Sequence, residues 1–436
     1  MGGASTDEGA AVTEVVDLCR DLIRFDTSNP GKSERPAAEY VAEKLEEVGL
    51  TTTVFEAARG RTSVVARLAG ADPSRDALLI HGHLDVVPAD AADWQVDPFG
   101  GEIKDGCLWG RGAVDMKDMV AMTLATARAY RREGRQPPRD VVLAFVADEE
   151  AGGYQGAKVL ASDHRHLLEG CTEAIGEVGG FSVSVSSDLR LYLIETAQKG
   201  MAWMRLTATG RAGHGSMIND DNAVTALCEA VARLGRTRLP VHITPTVRIF
   251  LDELSDALGI ELDPDDIEAT ISKLGPLARM IGATIRNTAN PSMLEAGYKV
   301  NVLPQTATAT VDGRFLPGFE KEFETELDDI LGPDIKRDYF NYDVAIETSF
   351  DGALVDAMAG ALKAEDPGAR PVPYTLSGGT DAKSFVPLGI RCFGFSPLRL
   401  PPELDFSGMF HGVDERVPLD ALEFGVRVLD RFIASS

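Results

Sequence analysis

The sequence has few of the features that mark secreted, membrane or nucleic-acid-binding proteins. Its five cysteines are odd in number and scattered over 436 residues without a Cys-x-x-Cys pair, which excludes a disulfide scaffold and favours a reducing compartment. No apolar run is long enough to cross a bilayer, and the opening MGGASTDEGA lacks the basic and apolar regions of a signal peptide. Lysine and arginine total 43 against 68 acidic residues, and the net charge of −25 would repel phosphates and anionic membranes. We therefore expect a cytoplasmic protein that binds neither nucleic acid nor membranes.

The order of helix-like and strand-like segments predicts two domains. Up to about residue 198, strand and helix patterns alternate as in an α/β layered domain, and the uniformly apolar run VVLAFVA is typical of a central strand covered on both faces. From Lys199 onward, alternating strand pairs and helices indicate a compact α+β unit. A buried helix at 353–364 and a strand at 391–395 resume the first pattern. We therefore predict a discontinuous α/β domain, 1–198 and 349–436, with an α+β domain inserted at 199–348.

Acids and a histidine follow the predicted strands of the first domain. They are His83, Asp85, Asp115, Glu149, Glu150 and Glu177. Ligands of open α/β sheets bind outside the carboxyl ends of the strands. Five carboxylates cannot converge there without countercharge, because repulsion and desolvation would be prohibitive. Mixed histidine and carboxylate ligands suit zinc, with cobalt or manganese as alternatives, and one carboxylate bridging two metals is typical of aminopeptidase-type hydrolases.

Each of these features also has an ordinary structural explanation. A His-x-Asp pair is common by chance, and a Glu-Glu pair after a strand is usually a solvated loop or a charge at a helix N-terminus. Taken singly, each is more often structural than catalytic. Taken together, the segments HGHLDVVP, GRGAVDMKD, ADEEAGG and GEVGG favour the functional interpretation, because every one falls at the end of a predicted strand or helix.

The four segments, followed by SGGTDAKSF and MFHGVDE, resemble a known enzyme family over nearly the whole chain. It is the dinuclear zinc peptidase and deacylase family that includes glutamate carboxypeptidase, acetylornithine deacetylase, succinyl-diaminopimelate desuccinylase and aminoacylases. The resemblance implies a zinc-peptidase-like catalytic domain, with a mixed sheet flanked by helices, and an inserted α+β domain that serves as lid and dimerisation domain. It also implies two divalent metal ions, with zinc preferred.

The resemblance assigns the metal ligands residue by residue. His83 and Glu177 would bind the first ion, Glu150 and His411 the second, and Asp115 would bridge both. The neighbouring Glu173 is an alternative to Glu177. The peptide bond after the bridging aspartate is often cis in this family, which here would be the bond that follows Asp115.

The resemblance also implies the reaction. Glu149 would be the general base and acid that takes a proton from the attacking water and returns it to the leaving amine. Asp85 would hold the other ring nitrogen of His83 and set its tautomer. The implied substrate is a small peptide or an N-acyl amino acid whose scissile amide lies next to a free carboxylate.

Three residues match substrate-binding positions of the family, and a glycine loop offers a fourth contact. In dimeric members the residue corresponding to His214 reaches into the partner's site, although a solvent-exposed turn histidine is the ordinary alternative. Asn301 and Arg314 match further positions, and Arg314 would bind the substrate carboxylate unless it only forms a surface salt bridge. The backbone around Gly379 would approach the substrate. Asp381, close behind it, is interpreted as the cap of the following helix.

Three alternatives to the leading function remain open at this stage. One is an N-succinyl or N-acetyl amino-acid deacylase of biosynthesis, although the stretch 251–290 is longer than the lid of the small desuccinylases. Another is a catalytically silent relative that only binds ligand, which the presence of Glu149 disfavours. The third is a nucleotide-binding oxidoreductase, which the absence of a full GxGxxG pattern disfavours. The sequence does not decide between a monomer and a homodimer formed through the lid.

Overall fold

The computed structural model describes residues 8–259, 267–272 and 277–436. The opening MGGASTD, used above in the expectation of no signal peptide, lies outside the described residues. The helices are α1 (Glu8–Ile23), α2 (Arg35–Glu46), α3 (Lys117–Arg132), α4 (Ala157–Ser162), α5 (Ala223–Arg236), α6 (Pro245–Leu258), α7 (Ile267–Ser272), α8 (Leu277–Thr284), α9 (Glu320–Leu331), α10 (Ala353–Glu365), α11 (Ala382–Phe385) and α12 (Leu419–Ser435). None of these described helices is long and apolar enough to cross a membrane.

The strands are short and distributed over the whole chain. In the described residues they are β1 (Thr52–Ala58), β2 (Arg61–Leu68), β3 (Ala77–His83), β4 (Glu102–Lys104), β5 (Cys107–Trp109), β6 (Val141–Val146), β7 (Cys171–Gly176), β8 (Phe181–Ser184), β9 (Arg190–Gln198), β10 (Gly200–Thr209), β11 (Gly213–His214), β12 (Thr288–Ala296), β13 (Val302–Leu303), β14 (Thr306–Phe315), β15 (Ile335–Asp343), β16 (Ile346–Glu347), β17 (Ala369–Leu376), β18 (Arg391–Gly394) and β19 (Arg416–Pro418).

The chain divides into two compact units. The first comprises the chain up to Glu195 together with Thr348–Pro373 and Thr380–Ser436, and the second comprises Thr196–Glu347 together with Tyr374–Gly379. The predicted insertion at 199–348 corresponds closely to the second unit. The difference is the short segment Tyr374–Gly379, which the sequence pattern assigns to the first domain and which contains Gly379.

The first unit is built on a large mixed sheet with strand order β1-β2-β6-β3-β7-β18-β9. The four inner strands β6, β3, β7 and β18 run parallel to one another. Strand β2 is antiparallel to both β1 and β6, and β9 is antiparallel to β18. Every residue of β6 is buried, in keeping with its uniformly apolar sequence VVLAFV. Helix α3, itself almost wholly buried, contacts α1, α2, α12 and β3. The predicted α/β class with a mixed sheet flanked by helices is confirmed.

The second unit has a four-stranded antiparallel sheet of order β12-β14-β10-β15. Residues of β10 and β14 alternate between buried and more exposed positions, and the buried ones pack with apolar residues of α5 and α9 in a common core. Strands β11 and β13 form a separate two-stranded pair, and β16 pairs with the last two residues of β9. Strand β12 lies at the edge of the larger sheet and is exposed along most of its length.

Candidate metal centre

The centre is built where parallel strands of the first unit end. His83 is the last residue of β3, Glu177 directly follows β7, and Glu149 and Glu150 follow β6 in a tight turn. Asp148 begins that turn in the left-handed conformation, with φ of 71°. Because the carboxyl ends of parallel strands meet at one edge of a sheet, residues far apart in sequence converge there.

Asp115 lies between two histidines. Its Oδ1 is 3.1 Å from Nε2 of His83, and its Oδ2 is 3.3 Å from Nε2 of His411. The two oxygens of one carboxylate therefore face two different imidazoles, which is the arrangement expected of a bridging ligand. The peptide bond Asp115–Met116 is cis, as the family resemblance implies.

Two glutamates complete the groups on either side of Asp115. Glu177 Oε2 lies 3.4 Å from Nε2 of His83, and Glu150 Oε2 lies 3.1 Å from Nε2 of His411. Glu149 also joins the first group, because one ligand atom each of His83, Glu149 and Glu177 lies within 4.8 Å of the others. The structure thus brings together all five residues predicted to bind metal, with the predicted base beside them.

The electrostatics of this cluster is dominated by burial and by its acids. Burial alone would lower the pKa of His83, which is 1% exposed, but the adjacent Glu177 and Asp115 raise it well above its usual range. Hydrogen bonds to Asp115 and Glu150 raise the pKa of His411 to about 10. Burial, followed by repulsion from Glu177, raises the pKa of the Glu149 carboxyl well above its usual range. The cluster therefore favours bound positive charge.

The donor set fits divalent cations. Among the residues that the structure describes, no lysine or arginine pairs with the carboxylates of Asp115, Glu149, Glu150 or Glu177. Oε1 of Glu150 is buried without a hydrogen-bond partner. A buried carboxylate oxygen without a donor is costly, and a cation would satisfy it. Imidazole nitrogen and carboxylate oxygen are the ligands that zinc uses in catalytic sites.

The role of Asp85 differs in part from the prediction. Its backbone oxygen, at 2.9 Å, is the closer partner of His83 Nδ1, while its carboxylate oxygen lies at 3.6 Å. The carboxylate instead accepts hydrogen bonds from the backbone N–H groups of Glu149 and Glu150, at 3.0 and 3.1 Å. The reason is geometric: the turn after β6 points two free N–H groups at this buried side chain. Asp85 therefore fixes the acidic turn as well as the histidine ring.

Asn29 and Asp381 also contribute to the site, although neither is predicted from the sequence to do so. The Asn29 amide donates to the carboxylates of Asp85 and Asp148, at 2.9 and 3.1 Å, and so connects the two. Asp381 makes no side-chain capping bond to α11, contrary to its interpretation as a helix cap. Its carboxylate is buried, and one of the two oxygens has no hydrogen-bond partner. The other oxygen lies near the acidic turn, 2.8 Å from the position that a Cβ would take on Gly153. A short-range sequence pattern cannot reveal such contacts.

His81 and Gly176 pack against each other behind the ligands. A Cβ on Gly176 would lie 2.4 Å from the His81 ring, so only glycine fits there without a shift. The ring is 5.0 Å from that of Phe385, and burial lowers the pKa of His81 to about 3. His81 is therefore a neutral core histidine.

The predicted substrate residues lie in the second unit. His214 is exposed on β11, where its Nδ1 is 2.8 Å from the Ser216 hydroxyl, and Gly215 N donates to the backbone oxygen of Asn301 at 3.0 Å. The pairing of β11 with β13 thus brings His214 and Asn301 close together. Arg314 donates to Asp312 at 2.7 Å and lies over the Trp203 ring. Gly379 is exposed outside any helix or strand. Substrate binding by these four residues stays a prediction.

A mixed α/β sheet with histidines and carboxylates gathered at its carboxyl edge is typical of metal-dependent hydrolases. The chain belongs to Peptidase family M20/M25/M40, whose sequence model matches residues 79–435. Peptidases and aminoacylases of this family are hydrolases that act on amide bonds, and so is this protein. The predicted family and enzyme class are confirmed.

Curated relatives resemble the chain over nearly its full length. The N-fatty-acyl-amino acid synthase/hydrolase PM20D1 of Xenopus tropicalis is 28% identical, with 97% of this chain and 86% of the relative covered. Aminoacylase-1 of Sus scrofa is 25% identical, with 96% of this chain and 94% of the relative covered. The fold matches that of the M20 family metallo-carboxypeptidase Sso-CP2 from Sulfolobus solfataricus, with a TM-score of 0.73, 18% identity, and 97% and 99% of the two chains covered.

Proposed function

We propose that the protein is a dinuclear metal-dependent hydrolase that cleaves an amide bond next to a free carboxylate. The observation that carries the proposal is Asp115, whose two oxygens face two separate histidines at 3.1 and 3.3 Å. His83 and Glu177 would hold one cation with Asp115, and Glu150 and His411 would hold the other. Zinc is the preferred metal, with cobalt and manganese as alternatives, because the ligands are imidazoles and carboxylates.

Bound cations would supply Lewis acidity, which lowers the pKa of water and polarises the scissile carbonyl. The chain's own contribution centres on Glu149. Its carboxyl lies beside the ligands, and its raised pKa suits a group that takes a proton from the attacking water and returns it to the leaving amine. Asp85 assists by accepting hydrogen bonds from the N–H groups of Glu149 and Glu150. These bonds hold the acidic turn against the segment that follows β3.

The substrate class we propose is the N-acyl amino acid, with small peptides as the alternative. The names of two relatives, N-fatty-acyl-amino acid synthase/hydrolase and aminoacylase-1, favour the acyl amino acid. Arg314 is proposed to bind the free carboxylate, since its planar guanidinium suits two-point contact with a carboxylate. His214, Asn301 and the backbone at Gly379 are proposed to contact the scissile amide and its surroundings.

The proposal is tested by metal analysis together with a substrate panel. Purified protein should bind two zinc ions per chain, lose hydrolysis on treatment with a chelator and regain it with zinc. The panel should contain N-acetyl, N-octanoyl and N-lauroyl derivatives of one amino acid, its dipeptides, and the same compounds with the free carboxylate amidated. Hydrolysis without bound metal, or equal hydrolysis of the amidated compounds, would contradict the proposal.

We further propose a homodimer formed through the edge strand β12. Met293 and Leu294 on this strand are 67% and 61% exposed, an unusual degree for large apolar side chains on a strand whose outer edge pairs with no other described strand. Pairing with a second copy would cover both the apolar side chains and the free backbone groups. Light scattering should give a dimer for the native chain and a monomer for Leu294→Lys, and a native monomer would refute this arrangement. The cytoplasmic location stays a prediction from the composition.

A further inference from the structure

Glu415 is a fully buried carboxylate that binds the backbone of the loop ending at Asp115. Oε1 accepts hydrogen bonds from the N–H groups of Val114 and Asp115, at 2.7 and 3.1 Å. Oε2 accepts from the N–H group of Gly112, at 2.9 Å, and from the guanidinium of Arg111, at 2.8 Å. Four donors converge on one side chain, so the position of this loop depends on Glu415.

Arg111 connects the same carboxylate to the segment that follows His411. Its Nη1 donates to Glu415, and its Nη2 donates to the backbone oxygen of Gly412 at 2.9 Å. Arg111 is only 3% exposed and its guanidinium lies 5.2 Å from the centre of the Trp94 ring, which restricts its conformation. The guanidinium therefore holds the residue after His411 and the Asp115 loop at once.

The positions of Arg111 and Glu415 in the chain connect this pair to the His411 side of the cluster. His411 and Glu415 belong to one short segment, and His411 has a left-handed φ of 57°, which the surroundings must hold in place. Asp115 and His411 face each other across 3.3 Å. A buried ion pair usually contributes little to stability relative to apolar residues of the same volume. Its placement here, bonded to the backbone beside two ligands, points to a role in positioning.

We propose that Arg111 and Glu415 are positioning residues that set Asp115 against His411 and so determine the affinity for the second cation. This inference rests on the proposed function, because it requires the cluster to bind two metals. The pair bonds the residue next to His411 and, among the described residues, makes no hydrogen bond to His83 or Glu177. The first cation should therefore depend on the pair less, and only through the shared Asp115. The replacement Glu415→Gln should reveal the role, because one oxygen becomes an NH₂ group that faces N–H donors whichever way the amide is turned.

The test measures stepwise zinc binding by competition with a chromophoric chelator. Glu415→Gln should weaken the second zinc by about tenfold to a hundredfold, as loss of an outer hydrogen-bond partner commonly does, with a smaller effect on the first. The fall in kcat should be recovered at high zinc concentration. The matched control is Asp366→Asn, because Asp366 is buried and accepts from Arg190, from the Tyr192 hydroxyl at 2.8 Å and from Gly368 N at 3.0 Å in the same unit. The control should lower the melting temperature and leave zinc binding unchanged.

A second variant keeps the inference testable if Glu415→Gln does not fold. Arg111→Lys retains the charge but cannot bond Glu415 and Gly412 in the same geometry, so it should also weaken the second zinc selectively. If either folded variant binds two zinc ions with native affinities while its melting temperature falls, the pair is only structural and the inference is wrong. If the native protein itself binds fewer than two, the proposed function fails first, which separates the two failures.

Discussion

The proposed metal ligands of the first unit and the predicted substrate residues of the second unit differ in how the fold holds them. His83 is 1% exposed at the end of an inner strand, and Asp85 and Glu415 bind the backbone beside the other ligands. His214 is exposed on a two-residue strand, and its side chain bonds Ser216, two residues away. The comparison indicates that the proposed metal centre is held by contacts between distant parts of the chain, whereas His214 is held by a near neighbour in sequence.

The largest effect is expected for Glu149→Ala. Removal of the proposed base should lower kcat by about ten-thousandfold, while zinc content remains near two per chain, because the five proposed ligands are intact. Metal analysis of the same preparation as the kinetic assay separates the two quantities. Loss of zinc together with activity would instead make Glu149 a ligand, and near-native activity would remove it from the mechanism.

A smaller effect, and one that sharpens the comparison, is expected for His214→Ala. If His214 polarises the scissile carbonyl, kcat should fall by about a hundredfold, as for loss of other such donors. The melting temperature should hardly change, since surface substitutions usually alter the free energy of unfolding by less than about 0.5 kcal/mol. Ser216→Ala, which removes the partner hydroxyl, is the matched control and should retain most activity. An unchanged kcat for His214→Ala would leave it an ordinary turn histidine.

The smallest effect is expected on the pH dependence of stability and concerns Lys199, a buried ionisable residue of the second unit. Its Nζ donates to the backbone oxygens of Ala283 and Arg286, at 3.1 and 2.8 Å, and burial lowers its pKa to about 7. Between about pH 7 and its unfolded pKa near 10.4, the unfolded chain binds more protons, so this residue makes stability rise with pH by up to about 1 kcal/mol per pH unit.

Denaturant unfolding at pH 7 and pH 9 tests whether Lys199 makes the free energy of unfolding rise with pH. The increase in the free energy of unfolding should be smaller for Lys199→Met than for the native chain, because the variant has no proton to release. Lys336→Met, which alters an exposed lysine of the same unit, is the control and should keep the native increase. An increase in Lys199→Met as large as in the native chain would show that Lys199 does not titrate as expected.

Those parts of the fold and site that depend on local sequence were predictable. The ends of β3, β6 and β7 follow short apolar runs, so the residue pattern alone is enough to place His83, Glu149 and Glu177 at one edge of a sheet. Strands β12 and β17 are harder to predict, because Pro291, and Pro371 with Pro373, argue against strands. Proline is tolerated at the edge of a sheet, where β12 lies, because a ladder donor is not needed on the free side.

The residues that hold the proposed ligands in place were harder to predict from the sequence. Asp85 binds the N–H of Glu149 across 64 positions, and Glu415 binds that of Asp115 across 300. Neither contact has a periodic or spacing pattern, because its geometry arises only when the sheet has formed. The contacts of Asp85 have the same origin. Its backbone oxygen is the closer partner of His83, and the turn after β6 supplies the N–H groups that its carboxylate accepts.

The close packing of Gly176 on His81 has an evolutionary consequence for Glu177. Any replacement of Gly176 adds a Cβ that would meet the His81 ring at 2.4 Å and displace the end of β7, which Glu177, a proposed ligand, directly follows. A smaller residue would first have to replace His81 to make room for this Cβ. The two positions should therefore be epistatic: Gly176→Ala alone should lose zinc, and His81→Ala should partly rescue it. A lineage could then change this corner of the enzyme only in that order, histidine before glycine.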